Sequence, residues 1–169
     1  MATITQPLRD EHKELYRQVE NLRLAGDVVN ESLTTLAHEK IEMAYDFLTH
    51  HLIPHAHAED KALYPMVQKI LGSAQATATM TRDHVEVGRL TQELGSLRVH
   101  KTLLSIPFDQ AMALRRVLYG LYALIMLHFA KEEEIYLPLL DANLTVEEAR
   151  TMFEKMDTVA KEAKELTAY

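Results

Sequence analysis

Two stretches of this chain carry the same arrangement of side chains able to bind a metal. His55-Ala-His-Ala-Glu59-Asp-Lys-Ala-Leu-Tyr-Pro65 returns 73 residues later as His128-Phe-Ala-Lys-Glu132-Glu-Glu-Ile-Tyr-Leu-Pro138. In each copy a histidine is followed four residues on by a glutamate, and a proline closes the motif six residues after that. A spacing of four on a helix stacks the two side chains on one face, so both reach a common point. Upstream, Arg9-Asp-Glu-His12 is echoed by Arg82-Asp-His84, which lie 43 and 44 residues before His55 and His128 respectively. Each half of the chain therefore reads as a helix pair.

If the two pairs pack with pseudo-twofold symmetry, His12, His55 and Glu59 face His84, His128 and Glu132 across an interior that is otherwise apolar. Two buried carboxylates there are costly without compensating positive charge. A pair of metal ions supplies that charge. With no cysteine in the chain, any metal is held by nitrogen and oxygen, and disulfides, thiolate zinc sites and thiol catalysis are excluded together. Four neutral imidazoles and two carboxylates that can bridge suit iron, with manganese and zinc chemically open.

The elements that must position these groups are helical. Five glycines and five prolines in 169 residues, with abundant Leu, Ala, Glu, Lys and Met, favour helix on intrinsic propensity. The patterning predicts a first helix over about residues 6–25, opened by Thr5 and Pro7 and stopped at Gly26. A second runs from near Asn30 to Gly72, with a kink at Pro54 and a bend or break at Tyr64-Pro65. A third runs from a Ser73 cap to about Leu103, and a fourth from about Asp109 to Leu140. Thr145-Val-Glu-Glu148 reads as a capping box opening a terminal helix. The expected fold is all-α, an up-and-down four-helix bundle with an additional short C-terminal helix. We read residues 1–169 as one domain, with the metal-binding bundle over about 6–140 and an accessory helix over about 145–166.

A formal charge of −7 and no segregated basic patch argue against nucleic acid. The N-terminus lacks the pattern of a signal peptide, and the most apolar stretch, Leu118 to Ala130, reads as too short to span a bilayer, so neither membrane association nor export is expected. A cytoplasmic protein fits these features.

At the six positions the chain resembles the hemerythrin-like, or HHE cation-binding, family, over about residues 6–140. The pattern reads His12, then His55-x-x-x-Glu59, then His84, then His128-x-x-x-Glu132. The resemblance implies four histidines as terminal ligands and two carboxylates bridging a non-haem di-iron centre that also carries an oxo or hydroxo bridge. Oxygen-carrying hemerythrins have a further histidine four residues after the one on the third helix, where this chain has Gly88. They usually have His-x-x-x-x-Asp on the fourth helix. Here the acid is Glu132, with Glu133 as the out-of-register alternative, and the internal repeat favours Glu132. Four histidines instead of five imply irons with room for water, peroxide, nitric oxide or a nearby tyrosine. The resemblance thus implies a protein that binds or senses a small oxidant or iron itself, or a di-iron oxidoreductase consuming peroxide or nitric oxide. Whether it is an enzyme stays open. A ferritin-like carboxylate oxidase would carry Glu-x-x-His pairs, and no histidine here has a glutamate three residues earlier.

The other candidates read more plainly. His51 is expected beside the site or at the surface, and His38, His50, His57 and His100 in solvent. His38-Glu-Lys-Ile-Glu42 lacks the second histidine of a zinc-protease motif. Tyr16 and the remaining tyrosines are expected to pack with one partner for each hydroxyl. Beyond its one ligand, the run Glu132–Glu134 is expected to be a solvated face.

Overall fold

A computed structural model describes residues 3–32, 34–98 and 104–167. Among these residues the chain forms α1 (Gln6–Val28), α2 (residues 35–71), α3 (Ala78–Leu97), α4 (Phe108–Asn143) and α5 (Val146–Thr167). α1 packs on α2 and α4, α3 packs on α4 and α2, and α5 lies along the middle of α2. Short connections between neighbours force the first four helices to run antiparallel. The loops after α1 and after α3 meet at one end, where Ile106 N–H donates to the Glu31 carbonyl at 3.0 Å.

The helices follow from their stripes. α1 buries Leu8, His12, Leu15, Val19, Leu22, Ala25 and Gly26, a spacing of three and four that makes one face of a 3.6-residue helix. His12 therefore occupies a core position of an otherwise apolar row. α1 runs past Gly26 because that residue is placed for close packing: a Cβ there would come within 2.8 Å of the Tyr119 ring on α4. α2 begins at Thr35, later than Asn30, because the Asn30 side chain takes the Ser32 N–H at 2.8 Å in a turn and Thr34 Oγ1 caps Ala37 N–H at 3.1 Å. Gly72, at φ 65°, closes α2 in the left-handed conformation that glycine tolerates. Ser73 does not cap α3. Its hydroxyl accepts from Gln75 N–H at 3.2 Å inside a turn, and the helix starts at Ala78. α3 ends at Leu97, and the expected continuation to Leu103 and the position of His100 fall outside the described residues.

Prolines do not break the long helices. Ile53 N–H reaches Leu48 O, Tyr64 N–H reaches Glu59 O and Leu137 N–H reaches Glu132 O, each an i→i+5 bond, and each donor stands immediately before a proline. The wide π turn admits one extra residue and absorbs the donor that Pro54, Pro65 or Pro138 lacks. The break expected at Tyr64-Pro65 does not occur, since α2 continues as helix through both prolines by way of two π turns, and α4 has a third.

Two apolar clusters fill the interior. The larger joins α1–α4 through residues such as Leu22, Leu94, Leu118 and Phe129. The smaller gathers Leu8, Leu63, Tyr64, Met80 and Leu140, together with Ala149, Met152 and Met156 of α5. The terminal helix therefore closes one end of the core. By length and composition alone the whole of α4 would suffice to cross a bilayer, a test that the core helix of a bundle also passes. Its inner row, Leu114, Leu121, Ile125, His128 and Glu132, is buried.

The capping box at the start of α5 forms as the sequence suggests. Thr145 Oγ1 accepts from Glu148 N–H at 3.2 Å and Glu148 Oε2 accepts from Thr145 N–H at 3.1 Å. Thr145→Ala should cost about 1 kcal/mol, seen as a fall in melting temperature of roughly 2–4 °C. An unchanged melting curve would remove this cap from the account of how α5 is held.

Candidate metal centre

His12 from α1, His55 and Glu59 from α2, His84 from α3, and His128 and Glu132 from α4 meet between the two apolar clusters. All are buried except His84, whose side chain is 9% exposed. Glu59 turns its two oxygens to opposite sides. Oε1 lies 3.1 Å from His55 Nε2 and 3.8 Å from His12 Nε2, while Oε2 lies 3.3 Å from His84 Nε2 and 3.9 Å from His128 Nε2. Glu132 does the same less symmetrically, with Oε2 3.5 Å from His12 Nε2 and Oε1 3.4 Å from His128 Nε2. Two groups of donor atoms, His12/His55/Glu59 and Glu59/His84/His128, are each close enough to hold one ion.

The polar atoms at the centre point to a cation. His12 Nε2, His55 Nε2, both oxygens of Glu59 and Glu132 Oε2 are buried without a hydrogen-bond partner. A folded protein rarely leaves such atoms unsatisfied, and each costs about 1–3 kcal/mol or more. The donor set of imidazole nitrogen and carboxylate oxygen fits a borderline metal.

The outer nitrogens are also engaged. His12 Nδ1 hydrogen-bonds Glu133 at 2.8 Å, His55 Nδ1 bonds Glu11 at 3.1 Å and His128 Nδ1 bonds Asp83 at 3.1 Å. His84 Nδ1 lies 3.1 Å from Asp60 Oδ2, at ion-pair distance without the alignment of a hydrogen bond. Glu133 thus belongs to the surroundings of His12 and is not part of a solvated face, and Arg9 Nη1 pairs with it at 2.5 Å. Glu11, Asp60 and Asp83 were absent from the expectations and Glu133 entered them only as the alternative to Glu132, although the repeat contains their signal: an acid precedes His12 and His84, and an acid follows Glu59 and Glu132.

Tyr64 carries more than packing. Its hydroxyl donates to Glu132 Oε1 at 2.8 Å and lies 3.2 Å from His128 Nε2 and 3.4 Å from His84 Nε2. Burial, with the charges of Glu59 and Glu132, keeps this phenol well above its usual range and so protonated. Tyr16, as expected, packs, edge-on to Phe129 at 5.2 Å. His38 is buried, contrary to the solvated position expected, because it falls on the inner stripe of α2 with Ala37, Ile41 and Ala44. His51 and His57 are exposed, and His50 is half-buried beside Asp46.

Beside the cluster, Leu52, Val87, Ile125 and Phe129 join His84 and His128 around a small apolar cavity, with room for about one water-sized molecule.

Without metal, protons hold the charges together. Burial lowers the affinity of His55 and His128 for a proton, but the Glu59 charge outweighs it for His55, and hydrogen bonds to Asp83 and Glu132 lift His128 to about 11. Glu59 is opposed by burial yet held well below its usual range by His55 and its histidine neighbours. His55 and His128 therefore contribute stability that is complete below about pH 6.5 and lost as pH rises through their raised values, which for His128 is about 11. Glu59 contributes stability that is complete above about pH 4.5 and lost as pH falls below it. The metal-free chain should be most stable to urea between these values and weaken from pH 7 to 10, and a midpoint that rises over that interval would contradict this balance of charges.

The family model of the hemerythrin HHE cation-binding domain matches residues 3–140. No curated protein and no solved structure matches the chain. The matched span ends in the last turn of α4 and contains all six clustered side chains, leaving α5 outside it. An all-helical chain whose buried histidines and glutamates converge between two apolar clusters, and whose sequence fits that model over most of its length, belongs to the hemerythrin HHE cation-binding domain family.

Proposed function

We propose that the protein carries a non-haem di-iron centre, with one ion at His12, His55 and Glu59, the other at His84, His128 and Glu59, and Glu132 as the second shared carboxylate. The observation that carries this reading is Glu59, a fully buried carboxylate that presents one oxygen to each histidine pair and has no hydrogen-bond partner for either. Iron would supply a reversible change of oxidation state and a place for a small oxidant to bind. The protein's own groups select that ligand. The cavity wall of Leu52, Val87, Ile125 and Phe129 favours a small, weakly hydrated molecule such as O2 or nitric oxide. At Gly88, one turn beyond His84, an added Cβ would meet nothing within 4 Å, so the third helix leaves room where oxygen carriers place another histidine.

The role that follows is binding or sensing a small oxidant, or iron itself. A second reading, turnover of peroxide or nitric oxide, is favoured by one feature, the Tyr64 hydroxyl, which holds a proton 2.8 Å from Glu132 where a reduced oxidant would need one.

Elemental analysis of protein purified without added metal, with its visible spectrum before and after peroxide, tests the centre. Two irons per chain and a spectrum that responds to peroxide are expected. One ion, or a metal without redox chemistry such as zinc, would overturn the di-iron reading. Repeated consumption of peroxide or nitric oxide by a catalytic amount of protein would move the assignment to the enzyme.

A further inference from the structure

We propose that Glu11, Asp60, Asp83 and Glu133 form an outer ring of positioning residues, and that each of the two metal positions has its affinity set by its own pair of these carboxylates. The inference rests on the two-ion reading above.

The argument begins with the repeat. The acid immediately before the first histidine of each half, Glu11 or Asp83, faces Nδ1 of the second histidine of the same half, His55 or His128. The acid immediately after the glutamate, Asp60 or Glu133, faces Nδ1 of the first histidine of the opposite half, His84 or His12. Every imidazole is therefore turned with Nε2 inward, and each group of donor atoms is braced by one hydrogen bond from within its half and one contact from across the bundle, a hydrogen bond between His12 and Glu133 and an ion-pair contact between His84 and Asp60. His12 and His55 are held by Glu133 and Glu11, and His84 and His128 by Asp60 and Asp83.

A carboxylate on the outer nitrogen does two things to an imidazole. It fixes the tautomer that leaves Nε2 free to bind, and its charge makes that nitrogen a stronger donor. The ring carboxylates are themselves anchored. Lys131 pairs with Asp83, Arg9 pairs with Glu133, and Thr81 Oγ1 donates to Asp60 at 2.9 Å. With Glu59 and Glu132 the centre gathers six carboxylates around two side-chain cations, so the ring deepens its attraction for metal ions as well as orienting their ligands. Glu11 is half exposed, so water screens it and its effect should be the smallest of the four.

Asn and Gln keep the shape of Asp and Glu, and their carbonyl still accepts an Nδ1 proton, so these substitutions remove charge while preserving the fold. The test titrates Co2+ into the metal-free full-length chain and follows its visible absorption. For the wild type two bound ions are expected, and fewer would defeat the two-ion reading itself. Asp83→Asn should weaken one of the two ions by about 10–100-fold and leave the other nearly unchanged. His128→Ala then identifies which ion is affected. In that background, whose remaining ion belongs to His12, His55 and Glu59, Glu133→Gln should weaken binding while Asp83→Asn should have no effect. If the wild type binds two ions, but Asp83→Asn and Glu133→Gln leave both affinities within about threefold in chains of unchanged helical content, the ring has no positioning role. Equal weakening of both ions by either substitution would also overturn the division into pairs.

Discussion

Glu59→Gln should strip the protein of both metal ions at once, whereas His55→Ala or His128→Ala should release one far more readily than the other. The difference follows from geometry. His55 and His128 stand on opposite sides of the cluster, but Glu59 faces all four imidazoles, with Oε1 towards one pair and Oε2 towards the other. Glutamine replaces one of those oxygens with an amide nitrogen that cannot bind a cation and removes the charge from the other. The loss in affinity should exceed the roughly 10–100-fold that partners outside the ligand set contribute. Metal analysis after purification, with circular dichroism to establish that the helices persist, reads the result. A Glu59→Gln chain that retains two ions would refute its place as the shared carboxylate, and one that retains a single ion would place it at only one position.

The same side chain shows what the sequence could and could not convey. Glu59 and Glu132 stand four residues after a histidine, and His12 stands on the apolar stripe of α1. These are statements about helical period, which survive translation into three dimensions because each segment is a regular helix where it matters. Tyr64 is different. Five residues after Glu59 is about 140° round an ideal helix, so regular spacing turns the tyrosine away from the glutamate's face. The π turn over Glu59–Leu63 brings it back, because its i→i+5 bond closes a wider turn. Pro65 signalled that the helix must depart from regularity at this point, but a proline alone does not distinguish a break from an expanded turn. The second half has Leu137 at the corresponding place, also buried. The pseudo-symmetry of the ligands is thus broken by a single hydroxyl, and only one side of the cluster carries a phenol.

His38 and Glu133 illustrate two further limits. His38 lacks a counterpart in the other half, and symmetry therefore assigned it to solvent, yet its place on the stripe of α2 puts it in the core. Glu133 lies next to Glu132 in a run of acids whose charge suggests water. Its side chain instead turns along the helix surface to His12 on α1 and to Arg9, a contact across 121 and 124 residues of chain. Periodicity reports which face a residue occupies, and it is silent on which neighbouring helix lies beside that face.

Phe129→Ala should be the most damaging single change in the apolar wall of the site, lowering stability by about 3–5 kcal/mol. The ring is 1% exposed and belongs to the larger core cluster. It stacks on His12 at 4.6 Å and 18°, meets His55 edge-on at 6.0 Å and meets Tyr16 edge-on at 5.2 Å. One side chain therefore stacks closely on His12 and meets His55 of one donor group, with a looser, tilted contact to His128 of the other at 6.3 Å, while forming part of the wall of the small cavity. Truncation removes those contacts and joins the vacated volume to the cavity, and nearby polar groups let water enter the enlarged space. In the metal-free protein the cost should appear directly as a lower denaturant midpoint. In the metal-bound protein the same loss of stability should be accompanied by weaker binding of the ion at His12 and His55, while the ion at His84 and His128 changes less. Leu118→Ala, in the same cluster but with no ring stacked on a histidine, provides the comparison, at roughly 2–5 kcal/mol. If both substitutions lower stability and neither alters the ratio of the two metal affinities, Phe129 serves the core alone. A selective loss at the His12/His55 position would show that the apolar packing which folds the bundle also holds its imidazoles in place.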